Sequence, residues 1–153
     1  MQPLDKNTLF SIFEAGDEEV YRENNVDNLL ENPYVLMGMV VRGVENWYLM
    51  DLMYKRSHPK EYSRVRPTIR LKYYNKLLGY LKRLDPNKFE TVYTIGDSFD
   101  SREVEDRLTD MIQFYESIEQ YEKCAIVKSY IDLLNHEIFT KDLLRNTGIK
   151  LPN

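Results

Sequence analysis

The chain has 153 residues, of which 42% are hydrophobic and 30% charged, with a formal net charge of −4 at pH 7. Such a chain can bury a core in one domain, and it is too apolar to be disordered throughout. Its longest apolar run, 34–53, is interrupted by Arg42, Glu45, Asn46 and Asp51, which excludes an ordinary membrane span.

The compartment is predicted from the N-terminus and from cysteine usage. The first residues lack the basic and then apolar pattern of a secretory signal, and the single cysteine, Cys124, cannot form an internal disulfide. We therefore expect a cytoplasmic protein without a membrane partner. Richness in Tyr and Asn, with only two alanines, would suit an AT-rich genome such as that of a bacteriophage or a low-GC bacterium.

An acidic segment and an apolar segment open the chain. Residues 1–33 carry eight Asp/Glu against two Lys/Arg, which indicates a solvated face, a partner-binding segment or a cover for basic residues elsewhere.

Asn32 and Pro33 predict a helix start. The following segment, 34–54, is apolar nearly all round, which is typical of the buried centre of a bundle and would also suit a homodimer interface. The Val40–Val41 pair leaves a strand open for part of it. Gly38 and Gly43 are predicted to be sites where two helices approach closely.

The segment 54–84 is strongly basic. Between Tyr54 and Arg83 it holds ten Lys/Arg, one acid and five tyrosines, a charge of +9 against −13 for the rest of the chain. Ser57-His58-Pro59 predicts a helix break, followed by a basic connector and a helix from Pro67 to Leu84.

Cations with interleaved aromatic rings are typical of surfaces that bind phosphates and stack bases, although the same cations also suit a plain solvated helix face. The predicted nucleic-acid-binding residues are the cations Lys55, Arg56, Lys60, Arg64, Arg66, Lys72, Lys76 and Arg83 and the rings of Tyr62, Tyr73 and Tyr80.

A short segment, 89–95, alternates apolar and polar residues, which suits a strand. Because no second clear strand is available to pair with it, an extended connector packed on the helices is preferred. Gly96-Asp97-Ser98 predicts a turn.

A helical hairpin is predicted over 100–137. Asp100 and Glu103 form a capping pair, and apolar residues then recur at helical spacing. The strings Leu108-Thr-Asp-Met111 and Tyr121-Glu122-Lys-Cys124-Ala125, continuing to Ile131 and Leu134, resemble the UVR motif of excision-repair subunits, the quality-control adaptor McsA and Clp ATPases. Lys128 and Ser129 stand where that motif has Arg-Asp. The resemblance implies contact with a protein partner through Tyr121, Glu122 and Lys128.

Residues for catalysis or metal binding are few. The two histidines, His58 and His136, lie far apart, no zinc-ligand spacing is present, and Cys124 has apolar neighbours. The acids around Glu103 are those expected at a helix start. We therefore predict no cofactor, no metal and no enzymatic activity, although a small hydrolase built from other residues stays open.

Together these patterns predict an all-α, single-domain bundle of five or six helices with one short extended segment near 89–95. The predicted function is non-enzymatic, regulatory binding of DNA or RNA through the basic segment. The alternative is a protein–protein adaptor or inhibitor that acts through the C-terminal hairpin or an acidic surface.

Overall fold

A computed structural model describes residues 30–85 and 87–147, except for the side chains of 89–90 and 136–147. The acidic segment predicted over 1–33 lies almost wholly outside the described residues. The described part is all-α, as predicted, and forms five helices: α1 Pro33–Ser57, α2 Pro59–Lys82, α3 Phe89–Ser98, α4 Ser101–Ser117 and α5 Tyr121–Thr147. None of the described helices is both long enough and apolar enough to cross a membrane.

The chain divides into two compact units, Met1–Arg83 and Leu84–Asn153. In the described residues the first unit holds α1 and α2, and the second holds α3, α4 and α5. The expectation of a single domain stays a prediction.

Helix α1 begins where the sequence predicts. The Asn32 side chain accepts a hydrogen bond from the Tyr34 amide at 2.9 Å, and Pro33 occupies the first turn. Val40 and Val41 are helical, so the alternative strand is wrong. The expectation of burial all round is also wrong, because five large apolar side chains of α1 are exposed: Tyr34, Tyr48, Leu49, Leu52 and Met53.

Helix α2 corrects the predicted basic connector. The helix begins at Pro59, immediately after His58, and continues through Pro67 to Lys82. Proline is favourable in a first turn, but Pro67 removes one backbone hydrogen bond from the helix interior. Burial of Tyr62 and Ile69 on either side of Pro67 anchors both halves of the helix in the core and offsets that loss.

Helices α1 and α2 form an antiparallel hairpin around Trp47. The Trp47 ring is fully buried and lies 5.4 Å from the ring of Tyr73 and 6.1 Å from that of Tyr74. Farther from the turn, the Tyr73 hydroxyl donates to the Gly43 carbonyl at 2.7 Å. Gly43 lies directly against Leu77, so the close helix approach predicted at this glycine is confirmed.

Helix α3 replaces the predicted extended segment 89–95, and the turn predicted at 96–98 is its last turn. Thr91 and Ile95 are both buried. They are four residues apart and therefore share one face of a helix. Residues four apart also share one face of a strand, which is why the same pattern suggested a strand.

Helices α4 and α5 form the predicted C-terminal hairpin, with α5 extending to Thr147. Asp100 caps α4 by accepting from the Arg102 amide at 2.9 Å. The turn contains Glu119 with φ 59°, and the Gln120 amide closes it onto the Tyr115 carbonyl at 2.9 Å. In the same unit, the buried Tyr130 hydroxyl donates to the Leu84 carbonyl at 2.7 Å.

Two glycines of the first unit give a matched test of the α1–α2 contact. A methyl group at Gly43 would overlap the Leu77 side chain, whereas one at Gly79 meets no atom within 4 Å. We expect Gly43→Ala to destabilise the protein by about 1–3 kcal/mol through overpacking. Gly79→Ala, in the same hairpin, should stabilise it by about 0.5–1 kcal/mol. Urea midpoints measure both, and equal midpoints for the two variants would contradict the close approach.

Candidate nucleic-acid interface

The buried carboxylate of Asp51 is the centre of a polar cluster between α1 and α2. Its Oδ1 accepts from the Tyr62 hydroxyl at 2.6 Å and from Arg66 Nε at 2.6 Å, and its Oδ2 accepts from Arg66 Nη2 at 3.0 Å. Lys55, one turn along α1, places its Nζ 2.9 Å from the same Oδ2. The cluster therefore holds two cations on one carboxylate at the turn of the hairpin.

This environment shifts the protonation equilibria of its members. Burial by itself raises the pKa of Asp51, but hydrogen bonds from Arg66, Tyr62 and Lys55 outweigh it and hold that pKa well below its usual range. Burial and the neighbouring carboxylate raise the pKa of Tyr62. The hydrogen bond to Asp51 raises the pKa of Arg66. The cluster therefore carries one negative and two positive charges at neutral pH.

The predicted cations are distributed over the outside of the α1–α2 hairpin. Six of the eight are exposed, while Arg66 and Lys76 are half-buried; the exposed ones are Lys55, Arg56, Lys60, Arg64, Lys72 and Arg83. Among the described residues, neither Lys60 nor Arg64 makes an ion pair. One acid of α2, Glu61, is exposed beside them.

Four of these cations follow one another along α2 in a winding row. Lys60, Arg64, Lys72 and Lys76 follow a spacing of four residues, with Thr68 in the remaining position. Each step of four rises about 6 Å along the axis and turns about 40° around it, so the row is about 24 Å long and winds about 160° around the helix. Phosphates of a duplex strand rise about 3.4 Å each, so the row can follow several of them. We call these four residues the basic row.

The tyrosines predicted to stack on bases point inward instead. Tyr62 and Tyr80 are 0% and 4% exposed, and Tyr73 is half-buried with its hydroxyl bonded to α1. Tyr62 also stacks on Tyr54 at 5.6 Å. In this conformation the rings of Tyr62 and Tyr80 cannot stack on a base, because they face the core side of the helix that carries the cations outside.

The residues predicted to bind a protein partner lie at the surface of the second unit. The Tyr121 side chain is 63% exposed, and Glu122 and Lys128 are exposed as well. Tyr121 and Lys128 are seven residues apart and lie on the same face of α5. The aromatic ring that starts the motif-like string is thus available for contact.

The described residues offer little for catalysis. They contain no group of three or more His, Cys, Asp or Glu side chains that could hold a metal ion. The Cys124 thiol donates to the Ile112 carbonyl at 3.6 Å, and burial followed by the charge of Glu116 raises its pKa. A raised pKa disfavours the nucleophilic thiolate.

Comparison with known proteins returns no similarity: no protein-family model, no curated protein and no solved structure matches this chain. The UVR-like hairpin therefore stays a prediction from its residues.

Sequence reasoning missed the role of Asp51. The four-residue spacing from Asp51 to Lys55 is the one signal in the sequence that Asp51 forms an ion pair. Tyr62 and Arg66 come from the next helix, and their pairing with Asp51 required knowledge that α2 begins at Pro59.

We expect Asp51→Asn to destabilise the protein by about 3–5 kcal/mol, because the variant leaves the Arg66 charge without its partner. The pKa of Asp51 is lowered by folding, so its charge stabilises the native state above the unfolded pKa of about 3.9. The stability difference between wild type and Asp51→Asn should thus be constant above about pH 5 and shrink on acidification below the unfolded pKa. Urea unfolding from pH 7 to pH 2.5 measures it, and a difference that grows in acid would contradict the assignment.

Proposed function

We propose that this protein binds nucleic acid without catalysis, through phosphate contacts along the basic row of α2. The observation that carries the proposal is the placement of Lys60, Arg64 and Lys72 at exposed positions of one helix, four and eight residues apart and within an arc of about 120°. A backbone-tracking surface needs cations at regular intervals on a rigid element, and a helix supplies that regularity. Because phosphates are common to both polymers, the proposal covers DNA and RNA.

Electrostatics defines how such binding would behave. The basic segment carries +9, while the whole chain is −4, so attraction is local and the rest of the chain repels a polyanion. Binding that is driven by the release of counterions from the nucleic acid weakens steeply as the salt concentration rises. It depends little on base sequence. The tyrosines contribute indirectly, because their packing fixes the face that α2 presents.

The test is fluorescence anisotropy of labelled single-stranded and duplex oligonucleotides over a salt series. We expect Arg64→Glu with Lys72→Glu to weaken binding by about tenfold or more, since each removes a charge-assisted contact. The slope of log K against log salt on duplex should become shallower by about 1 for each cation that loses a phosphate.

The matched control is Arg102→Glu with Lys128→Glu, which changes net charge equally at exposed positions of the second unit. If both doubles weaken binding equally, overall charge is responsible and the basic row is not the site. Undetectable binding by wild type at 50 mM salt would end the proposal.

A second candidate function is protein–protein contact through the C-terminal hairpin, favoured by the 63% exposure of Tyr121. Large exposed aromatic side chains are frequent anchors in protein interfaces. The UVR-like string implies the same use, with Glu122 and Lys128 as further contact residues.

For this candidate we expect Tyr121→Ala to lose a partner that wild type retains in quantitative affinity capture, because the aromatic anchor is removed. Tyr34→Ala, an exposed tyrosine of the first unit, is the control. Arg64→Glu with Lys72→Glu should leave this capture intact. Equal capture by Tyr121→Ala and wild type would contradict the candidate.

A further inference from the structure

A pocket lies at the turn of the α1–α2 hairpin, beside the Asp51 cluster. It is a half-open cleft of about 340 Å³, lined by one residue of α1 and five of α2: Lys55, Pro59, Tyr62, Ser63, Arg66 and Pro67. Two of the six are cations, one carries an aliphatic hydroxyl, and no acid lines it. The lining therefore favours an anion.

Asp51 holds the two cations of the pocket together. Lys55 Nζ and Arg66 Nη2 both lie within 3.0 Å of the same carboxylate oxygen, so they are at most about 6 Å apart. Two positive charges on one carboxylate leave a net charge of +1, which attracts an incoming anion. Because Asp51 fixes them in advance, they need little further ordering to bind it.

Both cations keep donors for a ligand. An ammonium group has three N–H donors and a guanidinium five. Within the described residues, Lys55 uses one and Arg66 uses two, all on Asp51. Tetrahedral phosphate oxygens, each able to accept more than one hydrogen bond, suit such a set.

The start of α2 adds to the attraction. Pro59 and Ser63 belong to its first turns, and His58 at the N-cap provides no side-chain hydrogen bond to the helix. The positive end of the helix dipole thus adjoins the pocket beside the two cations.

The size of the pocket indicates what accompanies the phosphate. A volume of about 340 Å³ falls within the range of small-molecule sites, and it exceeds the needs of a bare inorganic ion. The cleft has room for a phosphate with its sugar, and a terminal phosphate offers three non-bridging oxygens to Lys55 and Arg66, whereas an internal diester offers two. A monoester also carries a second charge near neutral pH.

We propose that this pocket binds a phosphomonoester, presented either by the end of a nucleic-acid strand or by a free mononucleotide. The strand-end source rests on the proposed function, because Lys60 and Arg64 of the basic row follow directly along α2. The free-nucleotide source does not depend on the row.

The experiment compares oligonucleotides of one sequence carrying a 5′-phosphate, a 3′-phosphate or no terminal phosphate. We expect wild type to bind one phosphorylated form about tenfold more tightly than the unphosphorylated form. Lys55→Gln and Ser63→Asp should bring that ratio close to one, by removing a cation and by adding a repelling carboxylate. Lys82→Gln, an exposed lysine of the same helix outside the pocket, should leave the ratio unchanged.

A second measurement tests the pocket with a free mononucleotide in place of an oligonucleotide. The Arg66 Nε–Hε signal in ¹H–¹⁵N spectra should shift on titration with adenosine monophosphate in wild type and Lys82→Gln, and not in Ser63→Asp. Adenosine, which lacks the phosphate, should leave the signal in place. Circular dichroism verifies that the variants keep their helicity; Lys55 is half exposed, and such surface pairs contribute little to stability.

The outcomes separate this inference from the proposed function. A shift with adenosine monophosphate but no oligonucleotide binding supports the pocket and overturns the basic row. Oligonucleotide binding with no effect of terminal phosphate, together with an unshifted Arg66 signal, supports the row and overturns the pocket. A phosphate-dependent ratio that survives both Lys55→Gln and Ser63→Asp also overturns the pocket.

Discussion

The carboxylate of Asp51 links the end of α1 to the start of α2 through a hydroxyl, a guanidinium and an ammonium group. A buried carboxylate without partners would be strongly unfavourable, so the α1–α2 hairpin requires Tyr62 and Arg66 to face it. That requirement sets the rotation of α2 about its axis. A helix rotated by half a turn would leave Asp51 unpaired and bury part of the basic row.

The abundance of tyrosine and the abundance of cations in α2 therefore serve different purposes. With 3.6 residues per turn, the buried rings and the exposed cations lie on different sides of one helix, while Arg66 turns inward to Asp51. Tyr62 packs inside against Tyr54 and Tyr74 packs against Trp47, whereas Lys60 and Arg64 remain outside. The aromatic rings make the helix rigid and oriented, and the cations make it a surface for anions. Rigid placement matters because cations on mobile segments lose conformational entropy when they bind.

The two compact units carry different kinds of exposed surface. In the first, the basic row and the pocket beside Asp51 are both suited to phosphate. In the second, Tyr121 offers an aromatic anchor on an acidic hairpin, which is better suited to a protein. The charge-reversal and Tyr121 variants address the two surfaces separately.

The sequence by itself determined what depends on local periodicity and local caps. Apolar spacing, Asn32 and Asp100 were enough to predict an all-α chain, the start of α1 and the C-terminal hairpin, because these signals act within one or two turns. The cationic candidates were also visible, since long charged side chains rarely leave the surface unpaired.

Tertiary structure decided which residues face inward. Pro67 suggested a helix start, but packing of Tyr62 and Ile69 carries α2 through it, and burial of Thr91 and Ile95 makes 89–95 helical. The pairing of Asp51 with Arg66 joins residues fifteen positions apart. No local pattern encodes it, because it arises only when two helices fold against each other and exclude water from the carboxylate between them.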